Sequence, residues 1–400
     1  MRSSTSESPR LFPVVLAGAT AFLDLYSTQP LLPFLARAFK ATTLGVSLTV
    51  TASTVGVAIA APLVGRLADR VGRKRVIVGA ALALALATLM ASTSTTLGQL
   101  IAWRFLQGVF TPGVFAVTIA YIHEQWPPWR AGAATAAYVS GTVVGGFSGR
   151  VIAGVVAADI TWRSSFVVLA ALNLGAAVAL WRWLPVDLHP VHAREESRVD
   201  ALVGHLRNPQ LVSAFVVGSG VLFSLVALFT YVTFLLAAPP FHLSTVALGS
   251  VFSVYLVGAV ITPFVGPVID RYGHDRGMAV AITFGVVGAL LTLVGTLATI
   301  LAGLAIASTG VFIAQAAASS YVGSAATRNR GLAVGLYATC YYLGGSAGGS
   351  LPALFWDRWG WPACVILVVV VQLIVGAIAL RFWHPHNRPA RPAGPLRLRV

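Results

Sequence analysis

The stretch Gly65-Arg66-Leu67-Ala68-Asp69-Arg70-Val71-Gly72 returns later in the chain as Gly266-Pro267-Val268-Ile269-Asp270-Arg271-Tyr272-Gly273. Gly, Asp-Arg and Gly keep their spacing, 201 residues apart. A second echo pairs Gly145-Gly146-Phe147-Ser148-Gly149 with Gly344-Gly345-Ser346-Ala347-Gly348, and Trp162 with Trp361, at an offset of 199. One echo is chance-prone; two at nearly one offset define a chain built from two related halves.

The sequence around these echoes is strongly apolar. Hydrophobic residues make up 57% of the 400, charged residues only 10%, and mean hydropathy is +0.83. A soluble domain carries about 25% charged residues, so this surface is too poor in charge to face water and must face lipid. The 39 glycines and 21 prolines sit inside apolar runs, a membrane-helix habit. Runs of roughly 20 apolar residues fall at 11–36, 44–65, 76–95, 98–121, 131–156 and 165–184, then at 210–236, 246–268, 278–298, 300–322, 332–354 and 362–383. The expected fold is an all-α polytopic membrane protein: twelve transmembrane helices in two pseudo-symmetric six-helix bundles around a central cavity. An even number of spans per half makes the repeat parallel, about an axis along the membrane normal, and places a solute site between the halves near the midplane.

Lys and Arg set the orientation. With both termini cytoplasmic, 21 of the 27 basic residues lie in inside segments and 4 in outside loops, with Arg104 and Arg150 inside spans. The expected order is a cytoplasmic tail (1–10), the first bundle (11–184), a polar cytoplasmic linker (185–209), the second bundle (210–383) and a basic tail (384–400) that can touch anionic headgroups, all in the plasma (inner) membrane. Leu11–Leu35 runs on past its small residues through Asp24 and Pro30, and reads as an uncleaved first span.

Several classes fall away. The net charge of +15 lies in short loops with no basic, aromatic-interleaved stripe, which argues against nucleic acid. Cys340 and Cys364 give no disulfide framework and read as packing residues. All eight histidines fall in loops, tails or span ends, so no metal or cofactor is expected. A membrane-embedded enzyme, which needs nucleophile and base at one depth, is a remote alternative, as is a sensor.

The loop Gly65 to Lys74 is a complete match to the signature loop of the major facilitator superfamily, and the chain resembles that family, specifically its twelve-span bacterial sugar- and drug-efflux branch, over residues 11–383. Arg104-Phe105-Leu106-Gln107-Gly108 resembles the family's fourth-span arginine motif, and Gln29-Pro30-Leu31-Leu32-Pro33 its first-span proline pair. Gly132, Gly141, Gly145-Gly146 and Gly149-Arg150 are similar to the exporter motif of the fifth span, with Gly146 in place of proline and Arg150 in place of glycine. The resemblance implies a secondary transporter that works by alternating access, with Asp69, Arg70, Gly72, Arg73 and Lys74 closing the cytoplasmic side and Asp270, Arg271 and Gly273 as a degenerate counterpart.

Asp24 is the one carboxylate of twelve well inside a span, with Thr20, Ser27 and Thr28 on its helical face. A charge at that depth costs about 2.5–3.5 kcal/mol on insertion scales. Two readings stand: a protonatable coupling carboxylate, or a structural ion-pair partner of Arg104 or Arg150. Each arginine either serves the cavity, Arg104 with Gln107, or snorkels or locks helices. Asp69 is expected to pair with Arg73 and to accept hydrogen bonds from a helix terminus across the interface; the alternative is a loop that only sets topology. Gly141, Gly145, Gly146, Gly149, Gly344, Gly345 and Gly348 permit close helix packing, with a hinge as an additional role. Tyr26, Phe115, Tyr231, Phe234, Tyr255 and Tyr341 are candidates for the cavity wall, against lipid-facing or packing roles.

The expectation is a proton-coupled exporter of small organic solutes, monomeric, with solute, protons and the bilayer as partners; an uptake permease, including one for an anionic solute, is the alternative. Orientation is directly testable. Alkaline phosphatase fused after residue 400 should be inactive and a fluorescent protein fused there should be bright; the reverse pattern would overturn the inside assignment.

Overall fold

The structure, a computed structural model, describes residues 11–185, 198–258, 260–261, 273–326 and 329–383, and no strand occurs among them. The first half contains α1 (Phe12–Leu23), a 3-10 turn (Gln29–Leu31), α2 (Leu32–Ala38), α3 (Thr43–Val71), α4 (Arg73–Ser92), α5 (Leu97–Gln125), α6 (Pro128–Asp159) and α7 (Trp162–Trp183). After α8 (Arg198–Arg207) come α9 (Pro209–Ala237), α10 (Thr245–Val251), α11 (His274–Leu291), a 3-10 turn (Thr292–Val294), α12 (Leu297–Ala325), α13 (Arg330–Ser350) and α14 (Ala353–Phe382). Side-chain caps start many of these helices: Thr42, Thr96, Thr161, Asn208, Ser244 and Thr296 each accept a hydrogen bond from a first-turn N–H.

Nine helices among the described residues are long and apolar enough to cross a membrane. The other three expected spans differ for local reasons. The first is broken. The eighth begins as α10 and runs toward residues outside the described set, which include Asp270 and Arg271. The eleventh, α13, has 21 residues, but its glycine, serine and tyrosine content dilutes its hydropathy.

The structure corrects three sequence expectations. The turn between the ninth and tenth spans lies at Gly295 (φ +81°), not at Thr299. Thr299 instead forms a capping box with Thr296 inside the first turn of α12. The linker is not all loop: α8 lies within it, packed beside α9 and α13 with His205 buried. The first span is not one helix carrying Asp24 on a face. It passes into turns from Asp24 to Thr28, held by three-residue bonds such as Ser27 N–H to Asp24 O (3.0 Å), ahead of Pro30 and Pro33, which lack the N–H that a continuous helix needs.

The two echoes are structurally equivalent. Gly72 (φ +100°) and Gly273 (φ +104°) make the same left-handed turn before α4 and α11, a backbone that side chains resist. In α6, Gly145 and Gly149 press against the main chain of Ala19 and Leu23 in α1; in α13, Gly344 and Gly348 press against Ser219 and Phe223 in α9. Gly141 does the same against Val15, and Gly345 takes the Leu222 side chain. These six are close-packing positions. Gly146 faces no helix backbone; its neighbours are Arg150 Nη1 and the Phe22 side chain.

Between the halves, α3 packs on α13 and α6 on α10. Ser346 Oγ donates to Thr54 Oγ1 (2.9 Å), Thr51 Oγ1 to the Ser346 carbonyl (3.2 Å) and Thr339 Oγ1 to the Ala58 carbonyl (3.2 Å). Gln29 Nε2 donates to Thr230 Oγ1 (3.1 Å), a residue 201 positions on, at the same offset as the repeat. Such a pair sits where a pseudo-twofold axis must pass. All these contacts lie in the half of α3 that starts at Thr43 or at its middle. Of Gly65 to Val71, only Ala68 is buried.

The glycine contacts carry a measurable expectation. Gly145→Val should lower thermal stability by about 1–3 kcal/mol, the usual cost of overpacking, whereas Gly132→Val, with open space around it, should not. Thermal unfolding of the purified proteins followed by intrinsic fluorescence compares them; equal midpoints would remove the packing assignment.

Candidate solute cavity and coupling network

Where the first span breaks, the Asp24 carbonyl accepts from the Ser27 N–H (3.0 Å) and Oγ (2.9 Å) and the Leu25 carbonyl from Ser53 Oγ (3.1 Å); in a membrane interior each unsatisfied group would cost several kcal/mol. Arg104, fully buried in α5, adds further donors to the same carbonyls. Its Nη1 donates to the Asp24 carbonyl (2.8 Å) and Gln107 Oε1 (2.5 Å), and its Nη2 to the Leu25 carbonyl (2.5 Å) and Ser53 Oγ (3.2 Å). Its Nε donates to the Thr49 carbonyl (3.1 Å). A guanidinium has five N–H donors, and all five are used. The ion pair between Arg104 and the Asp24 carboxylate that the sequence allowed is absent: the arginine binds the aspartate's main chain.

The Asp24 carboxylate has neutral partners instead. Its Oδ2 meets Thr88 Oγ1 of α4 (2.6 Å) and accepts from Asn173 Nδ2 of α7 (2.6 Å); Gln107 Nε2 donates to Thr88 Oγ1 (2.8 Å). Asp24 is completely buried, and its Oδ1 and the Asn173 Oδ1 have no hydrogen-bond partner among the described residues. Thr88 owns one hydroxyl proton but has two acceptors in reach, Asp24 Oδ2 and the Leu84 carbonyl (2.8 Å). With an ionised carboxylate, Thr88 donates to Asp24. With a protonated one, Asp24 donates to Thr88, which donates to Leu84. Thr88 can thus partner Oδ2 in both protonation states without moving a heavy atom, while Oδ1 has no partner among the described residues.

Arg150, in α6, lies on the seam between the halves. Its Nε donates to Gln29 Oε1 (2.8 Å) and its Nη1 to the Gly146 carbonyl (2.6 Å). The guanidinium carbon stands 5.0 Å from the centroid of the Tyr26 ring, 4.6 Å from Phe252 and 5.1 Å from Tyr255. The second half supplies two of those rings. No ion pair to Asp24 forms here either; among the described residues both ion pairs belong to Arg73.

The other expected wall residues divide. Tyr26, Tyr255 and Tyr341 gather near one another, with Phe115 beside Tyr342 (6.0 Å between centroids). Tyr231 does not join them: it is fully buried, donates to the Gly349 carbonyl (2.9 Å) and packs with Phe234 on Trp356. Arg73 pairs with Asp69 (3.1 Å) as expected, and with Glu124 at the end of α5 through Nε (2.5 Å) and Nη2. Among the described residues, which leave out 262–272, Asp69 makes no bond to the second half.

Sequence reasoning missed Thr88, Asn173, Phe252, Tyr342 and Glu124. Asn173 carried a usable signal, a lone amide in an apolar span, the same kind that marked Asp24. Thr88 and the aromatics carried none, since such residues fill membrane helices without function.

A broken first helix, a buried carboxylate, a capped arginine and two bundles meeting along a seam describe a solute transporter. The sequence matches the Major Facilitator Superfamily over residues 14–255 and 227–398. It is 35% identical over 373 residues to the inner membrane transport protein YnfM of Escherichia coli K12, covering 92% of this chain and 89% of that protein. It is 31% identical over 365 residues to the MFS-type transporter YybF of Bacillus subtilis, covering 91% and 90%. The fold resembles the crystal structure of a bacterial homolog of the human lysosomal transporter Spinster in its inward-facing, occupied conformation (TM-score 0.73, 16% identity, 94% and 98% covered). The chain belongs to the Major Facilitator Superfamily. It is a multi-pass membrane transporter of small solutes and not an enzyme.

Arg104→Lys tests the capping geometry. An ammonium has three donors where five are in use, and each orphaned buried acceptor costs about 1–3 kcal/mol. The variant should unfold several degrees below the parent in detergent; a parent-like midpoint would show that the carbonyls do not depend on the guanidinium.

Proposed function

We propose that this transporter is a proton-coupled exporter of small organic solutes, with Asp24 as the group that carries the proton. The observation that carries the reading is the Thr88 hydroxyl, which serves Asp24 Oδ2 in either protonation state at 2.6 Å. Such a site can gain and lose a proton without rebuilding its surroundings. The carboxylate lies against the broken segment of the first span, so its charge acts on the element that joins the halves through Gln29 and Thr230. Loss or gain of that charge would shift the balance between the two access states.

Arg66, Arg70, Arg73, Lys74 and Arg75 cluster where α3 passes into α4. The positive-inside rule places that end in the cytoplasm, which supports an inner-membrane protein with both termini inside. An exporter must load solute from that side. The fifth-span glycines Gly141, Gly145 and Gly149 support export, while Arg150 in the place of an exporter glycine leaves uptake as the alternative. The energetics suffice for either. One proton exchanged per neutral solute across one pH unit yields about 1.4 kcal/mol, enough for a roughly tenfold solute gradient.

The test is transport of a solute panel in proteoliposomes with an imposed pH gradient. The parent should accumulate solute in exchange for protons, and Asp24→Asn should lose at least about tenfold of that accumulation while downhill flux falls far less. Uphill transport by Asp24→Asn at the parental level would remove Asp24 from coupling. Transport that ignores pH and follows sodium would defeat the proton assignment altogether.

A further inference from the structure

We infer that the solute is an organic anion with an apolar or aromatic body, and that Arg150 receives its acidic group. This deepens the transport reading by naming the class of solute, and it rests on that reading.

The argument starts from which charges are available. Arg104 has spent all five donors on carbonyls, Gln107 and Ser53. Asp24 is sealed, with no exposed surface. Arg150 is different. It is 4% exposed, its Nε and Nη1 are engaged, and its Nη2 makes no hydrogen bond among the described residues yet is not fully sealed. No carboxylate among the described residues stands within ion-pair distance of it.

A buried cation without a counter-ion is costly. The faces of Tyr26, Phe252 and Tyr255 offset part of that cost, but they leave the site net positive. An anion would complete it. Further hydrogen-bond donors belong to the rings at this guanidinium and to their neighbours. The hydroxyls of Tyr26, Tyr255, Tyr341 and Tyr342 donate to no protein acceptor among the described residues and are not sealed away. Tyr341 lies within electrostatic reach of Tyr26, Tyr255 and Tyr342. Phenol hydroxyls with no acceptor beside a guanidinium with a spare N–H edge form a donor-rich pocket, suited to carboxylate, sulfonate or phosphonate oxygens.

The rest of the wall selects the body of the solute. Phe115 packs between Phe22 and Tyr342, with both centroid separations 6.0 Å, and presents an apolar surface beside the tyrosines. The cage also depends on access state. Tyr26 and Arg150 come from the first half, Phe252 and Tyr255 from the second. When the halves part along this seam, two of the three rings leave the guanidinium, so the affinity for an anion differs between the two states. Differential affinity is what a carrier requires of its solute site.

The experiment is equilibrium binding to the purified full chain in detergent at fixed ionic strength, by titration calorimetry. The probes are benzoate, benzenesulfonate and phenylphosphonate, with benzylamine and benzyl alcohol as cationic and neutral counterparts of the same ring. At least one anion should bind and the cation and alcohol should not. Arg150→Gln should abolish that binding, and Arg150→Lys, which keeps the charge but loses the planar fork, should restore part of it. Tyr255→Phe keeps the ring and removes only the hydroxyl, so it should fold and bind about tenfold more weakly, the size of one hydrogen bond to a charged group. Failure of every anion to bind, preference for benzylamine or benzyl alcohol, or unchanged anion affinity in a folded Arg150→Gln would overturn the inference. Should Arg150→Gln not fold, unchanged affinity in Tyr255→Phe would do so alone. In vesicles, counterflow of benzenesulfonate, which stays ionised and does not leak, should follow the same order. Binding is measured without a gradient, so failure of the Asp24 experiment leaves it standing, and loss of anion selectivity leaves pH-driven accumulation of a neutral solute standing.

Discussion

The structure depends on how it satisfies the main chain where the first span breaks. The helix gives way to turns from Asp24 to Thr28, ahead of Pro30 and Pro33, which lack the N–H that would bond the Tyr26 and Gln29 carbonyls. The Arg104 guanidinium braces that segment, binding the carbonyls of Asp24, Leu25 and Thr49 together with Gln107 and Ser53. One side chain thereby ties α5 to the broken segment and to α3. A positive charge is stable there because it is spread over carbonyl dipoles, with no carboxylate needed to neutralise it.

That arrangement frees Asp24 for another use. A carboxylate locked in an arginine fork would be held ionised and would resist titration. Here the fork is occupied by main chain, and the carboxylate faces Thr88 and Asn173, groups that tolerate either protonation state. The arginine is therefore close to the carboxylate and too committed to pair with it. Arg150 shows the opposite economy, a guanidinium stabilised by aromatic faces and left with an open edge on the seam.

The pseudo-twofold repeat sets where the halves meet. Glycines at equivalent positions bring α6 onto α1 and α13 onto α9, and Gln29 meets Thr230 across the axis. The seam between the halves combines hydroxyl contacts, Thr51, Thr54 and Thr339 against α13 and α3, with apolar packing in which Leu25, Leu31 and Val50 meet Leu222, Val226 and Tyr342. Within the first half, Arg73 holds α3 to α5 through Asp69 and Glu124.

Much of this was legible in sequence because lipid imposes simple rules. Apolar length marks the spans, since a backbone in hydrocarbon must close its own hydrogen bonds. The echoes of Gly65 to Gly72 and of Gly145 to Gly149 gave the repeat, because a left-handed turn and a helix crossing at main-chain distance both exclude side chains. Asp24, Arg104 and Arg150 stood out because burying a charge in an apolar run is costly enough to require a reason. What each charge does could not be read, since its partners come from helices distant in sequence: Thr88 and Asn173 lie 64 and 149 residues from Asp24. Sequence alone thus determined that the chain spans the membrane as two related halves with three charges to account for. Tertiary structure alone decided that Arg104 binds carbonyls, that Asp24 has neutral partners and that Tyr231 faces the bundle interior, because those outcomes depend on helix rotation and on which donors are already taken.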